Sequence, residues 1–96
     1  MPATRPSAIA TLQVDNERVI VTEWRFAAGA QTGWHRHAYD YIVIPGKDGK
    51  LLLESAEGEQ LAELQAGQSY FRKAGVEHNV VNANDFEFAF VEIELR

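Results

Sequence analysis

The chain has 96 residues, a formal net charge of −5 and no cysteine. That length suits one domain with a single modest core. The acidic balance, with its 9 Lys and Arg scattered and never in a run, argues against a nucleic-acid backbone or an anionic membrane as partner. Without cysteine there is no disulfide framework, thiolate ligand or Cys nucleophile, so any site must use nitrogen and oxygen donors.

Apolar residues make up 46% and charged residues 24% of the chain, an ordinary globular composition. The segment 1–8 reads as an N-terminal arm, flexible or placed in a dimer interface, on a single domain covering 1–96. It lacks the apolar stretch of a secretory signal, and Tyr41–Pro45 is too short to span a bilayer, so a cytoplasmic protein is expected. Strands are predicted, in order, at Ile9–Val14, Arg18–Phe26, His35–Ile44, Lys50–Glu54, Gln60–Leu64, Ser69–Arg72, His78–Asn82 and Phe86–Leu95. Gly, Asn, Asp and Pro punctuate them, as at Asp15-Asn16, Glu57-Gly58 and Asn82 to Asp85. The best helical attempt, Ser55 to Gln65, is broken by Gly58 and dominated by charge. An all-β sandwich or barrel with little or no helix follows.

Two strands are apolar at both parities. Val19 and Val21 oppose Ile20, Trp24 and Phe26; Ala89, Val91, Ile93 and Leu95 oppose Phe86, Phe88 and Phe90. A strand apolar on both faces is usually covered on both, so a homodimer of C2 symmetry is expected.

The chain's three histidines are His35, His37 and His78. Residues two apart in a strand share a face, so His35 and His37 can converge on one ion, with His78 arriving from a neighbouring strand. Neutral imidazole is the commonest ligand for divalent transition metals. Other chemistries find no support. There is no phosphate-cradling Gly-rich loop and no serine elbow, and Glu54, Glu57, Glu59 and Glu63 read as a charged hairpin surface.

Gly29-Ala30-Gln31-Thr32-Gly33-Trp34-His35-Arg36-His37 resembles the opening of the first cupin motif. Gly67 to Asn82, with Gly75, His78 and Asn82 in place and Lys73 where proline is usual, resembles the second. The resemblance runs from about Ile20 to Leu95, and implies a double-stranded β-helix, or jelly-roll, barrel. The wording around both motifs further resembles small bacterial cupins associated with β-alanine degradation. It also implies His35, His37 and His78 as metal ligands. The family's glutamate after H-x-H is missing: Tyr41 and Ile42 stand there. Asp40 replaces it only if a β-bulge shifts the register.

A three-histidine site is neutral and leaves positions open to substrate, an arrangement of catalytic sites. Resemblance to three-histidine cupin dioxygenases implies Fe(II), with Zn or Ni as alternatives. The expected function is a metal-binding cupin acting on a small organic metabolite, with dioxygenase, isomerase and hydrolase readings open. The alternative is a non-catalytic metabolite-binding, sensing or accessory dimer. Tyr41 stands as a catalytic or substrate-binding hydroxyl, or as barrel filling. Gln31 stands as an amide at the pocket mouth, or as a loop residue. Arg72 and Lys73 lie near the mouth, and Asn82 orients a loop or caps a strand.

Overall fold

The computed structural model describes residues 4–96, and among them there is no helix, hence none long and apolar enough to cross a membrane. The strands are β1 (Ile9–Asp15), β2 (Val19–Phe26), β3 (His35–Arg36), β4 (Asp40–Pro45), β5 (Gly49–Ser55), β6 (Gly58–Leu64), β7 (Tyr70–Arg72), β8 (Glu77–Asn82) and β9 (Phe88–Leu95). They form two antiparallel sheets, ordered β1-β2-β9-β4-β7 and β3-β8-β5-β6. Alternation drives this arrangement. In β4 the side chains of Tyr41, Val43 and Pro45 are buried while Ile42 and Ile44 are only half-buried, the period of two expected of a strand with one face on a core.

The core joins Phe26, Ala30, Tyr41, Val43, Leu51, Val80, Phe88 and Phe90 from both sheets. Phe26 and Phe90 meet at 5.5 Å between ring centroids. Gly49 sits so close to this cluster that a Cβ there would lie 2.7 Å from the Phe88 ring, which is fully buried and has nowhere to go. Asn82, 1% exposed, donates from Nδ2 to the carbonyls of Phe26, Ala27 and Phe86, tying the end of β8 to two loops. Its use is structural.

The expected strand His35–Ile44 is two strands in different sheets. Residues 37–39 cross between sheets, and the His37 backbone is held there, its N–H donating to Val76 O at 2.9 Å and its carbonyl accepting from Gly75 N–H at 2.8 Å. Gly75 adopts φ +98°, which lets the turn ahead of β8 present that N–H. The expected edges elsewhere differ by a residue or two, as at Phe86, which precedes β9.

From Arg5 onward the N-terminal arm is docked rather than loose. Ala8 N–H donates to Gln31 O at 2.8 Å, and the Arg5 guanidinium pairs with Glu54 at 2.9 Å. Residues 1–3 of the expected arm lie outside the described residues. Glu54 is therefore not part of a free charged hairpin surface: it also accepts from Asn79 Nδ2 at 2.8 Å.

Candidate metal centre

The three histidines meet at one end of the barrel. His35 on β3 and His78 on β8 are directly opposite in the antiparallel ladder, so their side chains leave the same face. His37 lies just beyond β3, and its pinned backbone aims the ring at the other two. His37 Nε2 is 3.0 Å from His35 Nε2 and 3.1 Å from His78 Nε2. Two nitrogens bound to one ion at ~2.1 Å lie this far apart when they subtend about 90–95°.

The donor chemistry points the same way. His35 Nδ1 lies 2.8 Å from Gly33 O. A carbonyl only accepts, so Nδ1 carries the proton and Nε2 offers its lone pair to the cluster. Burial pushes His37 and His78 down to about 4, with His35 adding to both shifts. Their rings are neutral at neutral pH, the form in which an imidazole can ligate a metal, and His35 turns its Nε2 lone pair toward them. The residues present fit a divalent ion held by His35, His37 and His78.

A polar network behind the site holds His35 in place. Gly33, at φ +91°, turns its carbonyl to His35 while its N–H donates to Asn79 Oδ1 at 2.9 Å. Thr32 Oγ1 donates to the same Gly33 carbonyl at 2.9 Å and accepts from Val80 N–H at 3.1 Å. Asn79 Nδ2 is shared between Gln31 Oε1 and Glu54 Oε1. Arg5 holds the Glu54 carboxyl below the usual carboxylate range by hydrogen bonding, and Asn79 adds to that. Such partners fix ring orientation and tautomer.

A cavity of about 290 Å³ opens beside the histidines. Tyr41, 3% exposed, stacks on His37 with ring centroids 3.9 Å apart and lines this cavity. Burial, with the Glu92 carboxyl adding to it, raises the Tyr41 phenol well above its ordinary value, so it stays protonated. Arg72 lies on the Tyr70 ring at 4.7 Å and also reaches the cavity, whereas Lys73 does not line it.

Two of the weighed residues fall elsewhere. Asp40 is exposed and accepts from Ala74 N–H at 2.8 Å, outside the histidine group. No bulge turns it inward, because β4 keeps regular register with both neighbours. Gln31 is not at the pocket mouth. Its side-chain oxygen accepts from Arg5 and Asn79 on the outer side of β8, so it braces the loop instead. One residue went unnoticed in the sequence. Glu92 on β9 is 8% exposed and lines the cavity. The signal was there in the alternation Phe88, Phe90, Glu92, Glu94, which puts carboxylates on the inward parity after two core aromatics.

This is a small two-sheet β barrel with three histidines gathered at one end of its interior, and comparison with known proteins assigns it to a family. The cupin domain family profile matches residues 22–94, so the chain belongs to the cupin family. It is 64% identical over 92 residues, 96% of this chain and 97% of the other, to the β-alanine degradation protein BauB of Pseudomonas aeruginosa. A cupin domain crystal structure from Bordetella pertussis is 58% identical and superposes with a TM-score of 0.97, covering 99% of both chains. A cupin superfamily protein from Desulfitobacterium hafniense shares the fold at 16% identity and a TM-score of 0.72, over 99% of this chain and 83% of that one.

Proposed function

We propose that this chain is a metal-dependent cupin acting on a small organic acid in the breakdown of β-alanine, with His35, His37 and His78 as ligands and Fe(II) as the native ion. The convergence of three imidazole nitrogens beside a cavity is the observation that carries this reading. The name of the Pseudomonas relative supplies the pathway. Separations of 3.0 and 3.1 Å bring the Nε2 atoms close enough to share one ion, and imidazole donors suit Fe(II) as well as Ni(II) or Zn(II).

A bound divalent ion supplies Lewis acidity and, as Fe(II), redox chemistry with dioxygen, which favours a dioxygenase. The chain does the rest. Neutral histidines leave the ion's charge available to an anionic substrate group. Tyr41, held protonated beside His37, donates a hydrogen bond to what enters the cavity. Trp24, Val43, Leu53 and Phe90 exclude water from its walls.

Tag-free protein, depleted of metal and then given Fe(II), Ni(II) or Zn(II) without oxygen, tests this reading. Close to one ion per chain in the wild type and almost none in His35→Ala/His37→Ala is the expected result. Oxygen uptake with a panel of three-carbon acids then separates a dioxygenase from a cupin that only binds its ligand.

The functional unit in this reading is a homodimer. Val14, Val21, Ile93, Ile42 and Phe71 are consecutive ladder partners, so they form one apolar row across the outer face of all five strands of the larger sheet. Every residue of β1 is exposed. A second copy laid on this face buries the row, and Ile93→Lys is expected to turn a dimer into a monomer in sedimentation equilibrium.

A further inference from the structure

We propose that Glu92 is a substrate-binding residue whose carboxylate receives the protonated amine of a short amino acid. The acid end of that molecule lies at the three-histidine centre. This deepens the function proposed above, rests on it, and names the class of its substrate.

Glu92 is more than nine-tenths buried, lines the cavity, and makes no hydrogen bond or ion pair with any described residue. Among the described residues no polar side-chain atom is sealed without a partner, so the Glu92 oxygens open onto the cavity itself. Removing a carboxylate from water is unfavourable unless a cation meets it. None of the described residues supplies one. The nearest guanidinium in the cavity wall, Arg72, is laid on Tyr70 and forms no salt bridge there. Glu94, on the same face of β9, adds negative charge, and burial together with Glu94 disfavours ionisation of Glu92. What fits beside Glu92 is a cation brought in from outside.

Glu92 does not complete the histidine cluster. With Glu94 it comes within 4.8 Å of a His37 nitrogen, but this group does not include His35 or His78. The cavity thus has two unlike poles, an ion site that attracts an anion and a carboxylate that attracts a cation. Val43, Leu51, Val80 and Phe90 line it with apolar surface, which suits methylene groups joining two charged ends. At the ~30 Å³ share of a liquid-water molecule, 290 Å³ admits about ten non-hydrogen atoms. A short ω-amino acid satisfies both poles and the size.

Calorimetric titration of the metal-loaded protein with 3-aminopropanoate, propanoate and 3-hydroxypropanoate reads the amine's contribution. The wild type is expected to bind the amino acid at least about tenfold more tightly than either acid without an amine, and Glu92→Gln to lose that preference. Glu92→Asp should keep part of it. Metal content and propanoate affinity, which report on the histidine centre alone, should be the same in Glu92→Gln as in the wild type. Propylamine, which has no carboxylate, should bind the wild type and not Glu92→Gln, with or without metal. Equal affinities for the three acids in the wild type overturn the proposal. So does a preference that survives in Glu92→Gln, or loss of metal from that variant, which would make Glu92 a ligand. Failure to take up metal while propylamine still distinguishes the variants would count against the metal centre and leave Glu92 in its role.

Discussion

The two ends of the barrel interior are made by the same strands and differ in what those strands put inside. Along β9 the inward residues run Phe88, Phe90, Glu92, Glu94; along β8, Asn82, Val80, His78; along β4, Pro45, Val43, Tyr41. At the first end the space is filled. Phe26, Phe88, Leu51 and Pro45 are fully buried, and the buried amide there, Asn82, is saturated by backbone groups and the Asn84 side chain. At the other end stand three imidazoles, a phenol and a carboxylate around open volume. Stability is made at the packed end, and the open end holds polar groups that packing alone would not tolerate. The same pleat serves both, and only the residue types change along it.

The largest expected effect belongs to the open end. His37→Ala or His78→Ala removes a nitrogen that no other side chain replaces, and metal affinity should fall beyond detection in a calorimetric titration. The metal-free variants should stay folded, because the histidines stand around the cavity rather than in the packed core. A variant that unfolds instead would mean that the two ends are not separable. Phe88→Ala addresses the packed end and should cost about 3–5 kcal/mol in urea unfolding. Any Phe88→Ala protein that folds should still bind one ion per chain.

Asn79→Ala is a gentler test of the link between the ends. It strips Gly33 N–H of its acceptor and leaves Glu54 with only Arg5, loosening the carbonyl that orients His35. Metal affinity should drop about 10–100-fold, and the orphaned Gly33 N–H should cost about 1–3 kcal/mol in urea unfolding. The smallest effect is the pH dependence of metal-free stability. His37 and His78 sit at about 4 in the fold against an ordinary 6.5, so the unfolded chain binds more protons between those values and stability rises with pH there. Glu92 at about 7, against an ordinary 4.5, has the opposite sign over 4.5 to 7 and cancels one histidine. Unfolding curves at stepped pH should therefore show a gentle rise from pH 4.5 to 6.5, steeper in Glu92→Gln.

The sheet content, the interior aromatics and the three converging histidines were all legible from alternation and motif spacing. The crossing at residues 37–39 was not, because Ala38-Tyr39 carries no glycine or proline to announce a break. Tyr41 reached the cavity all the same, through the register of β4 with β9 rather than through continuity with His35. Glu92 escaped notice because attention to the H-x-H segment sought a carboxylate close by in sequence, whereas β9 delivers one from the far end of the chain. From sequence Gln31 reads as a pocket-mouth amide or a loop residue and Glu54 as hairpin surface, since only the docked arm carrying Arg5 turns them into a brace.

Diffraction at the absorption edge of the bound metal, from crystals of Fe(II)- or Ni(II)-loaded protein, tests the metal centre most directly. A single anomalous peak about 2.1 Å from Nε2 of His35, His37 and His78 is the expected result. A peak between Glu92 and Glu94 with the imidazoles unliganded, or rings that stay together with no peak among them, would contradict it.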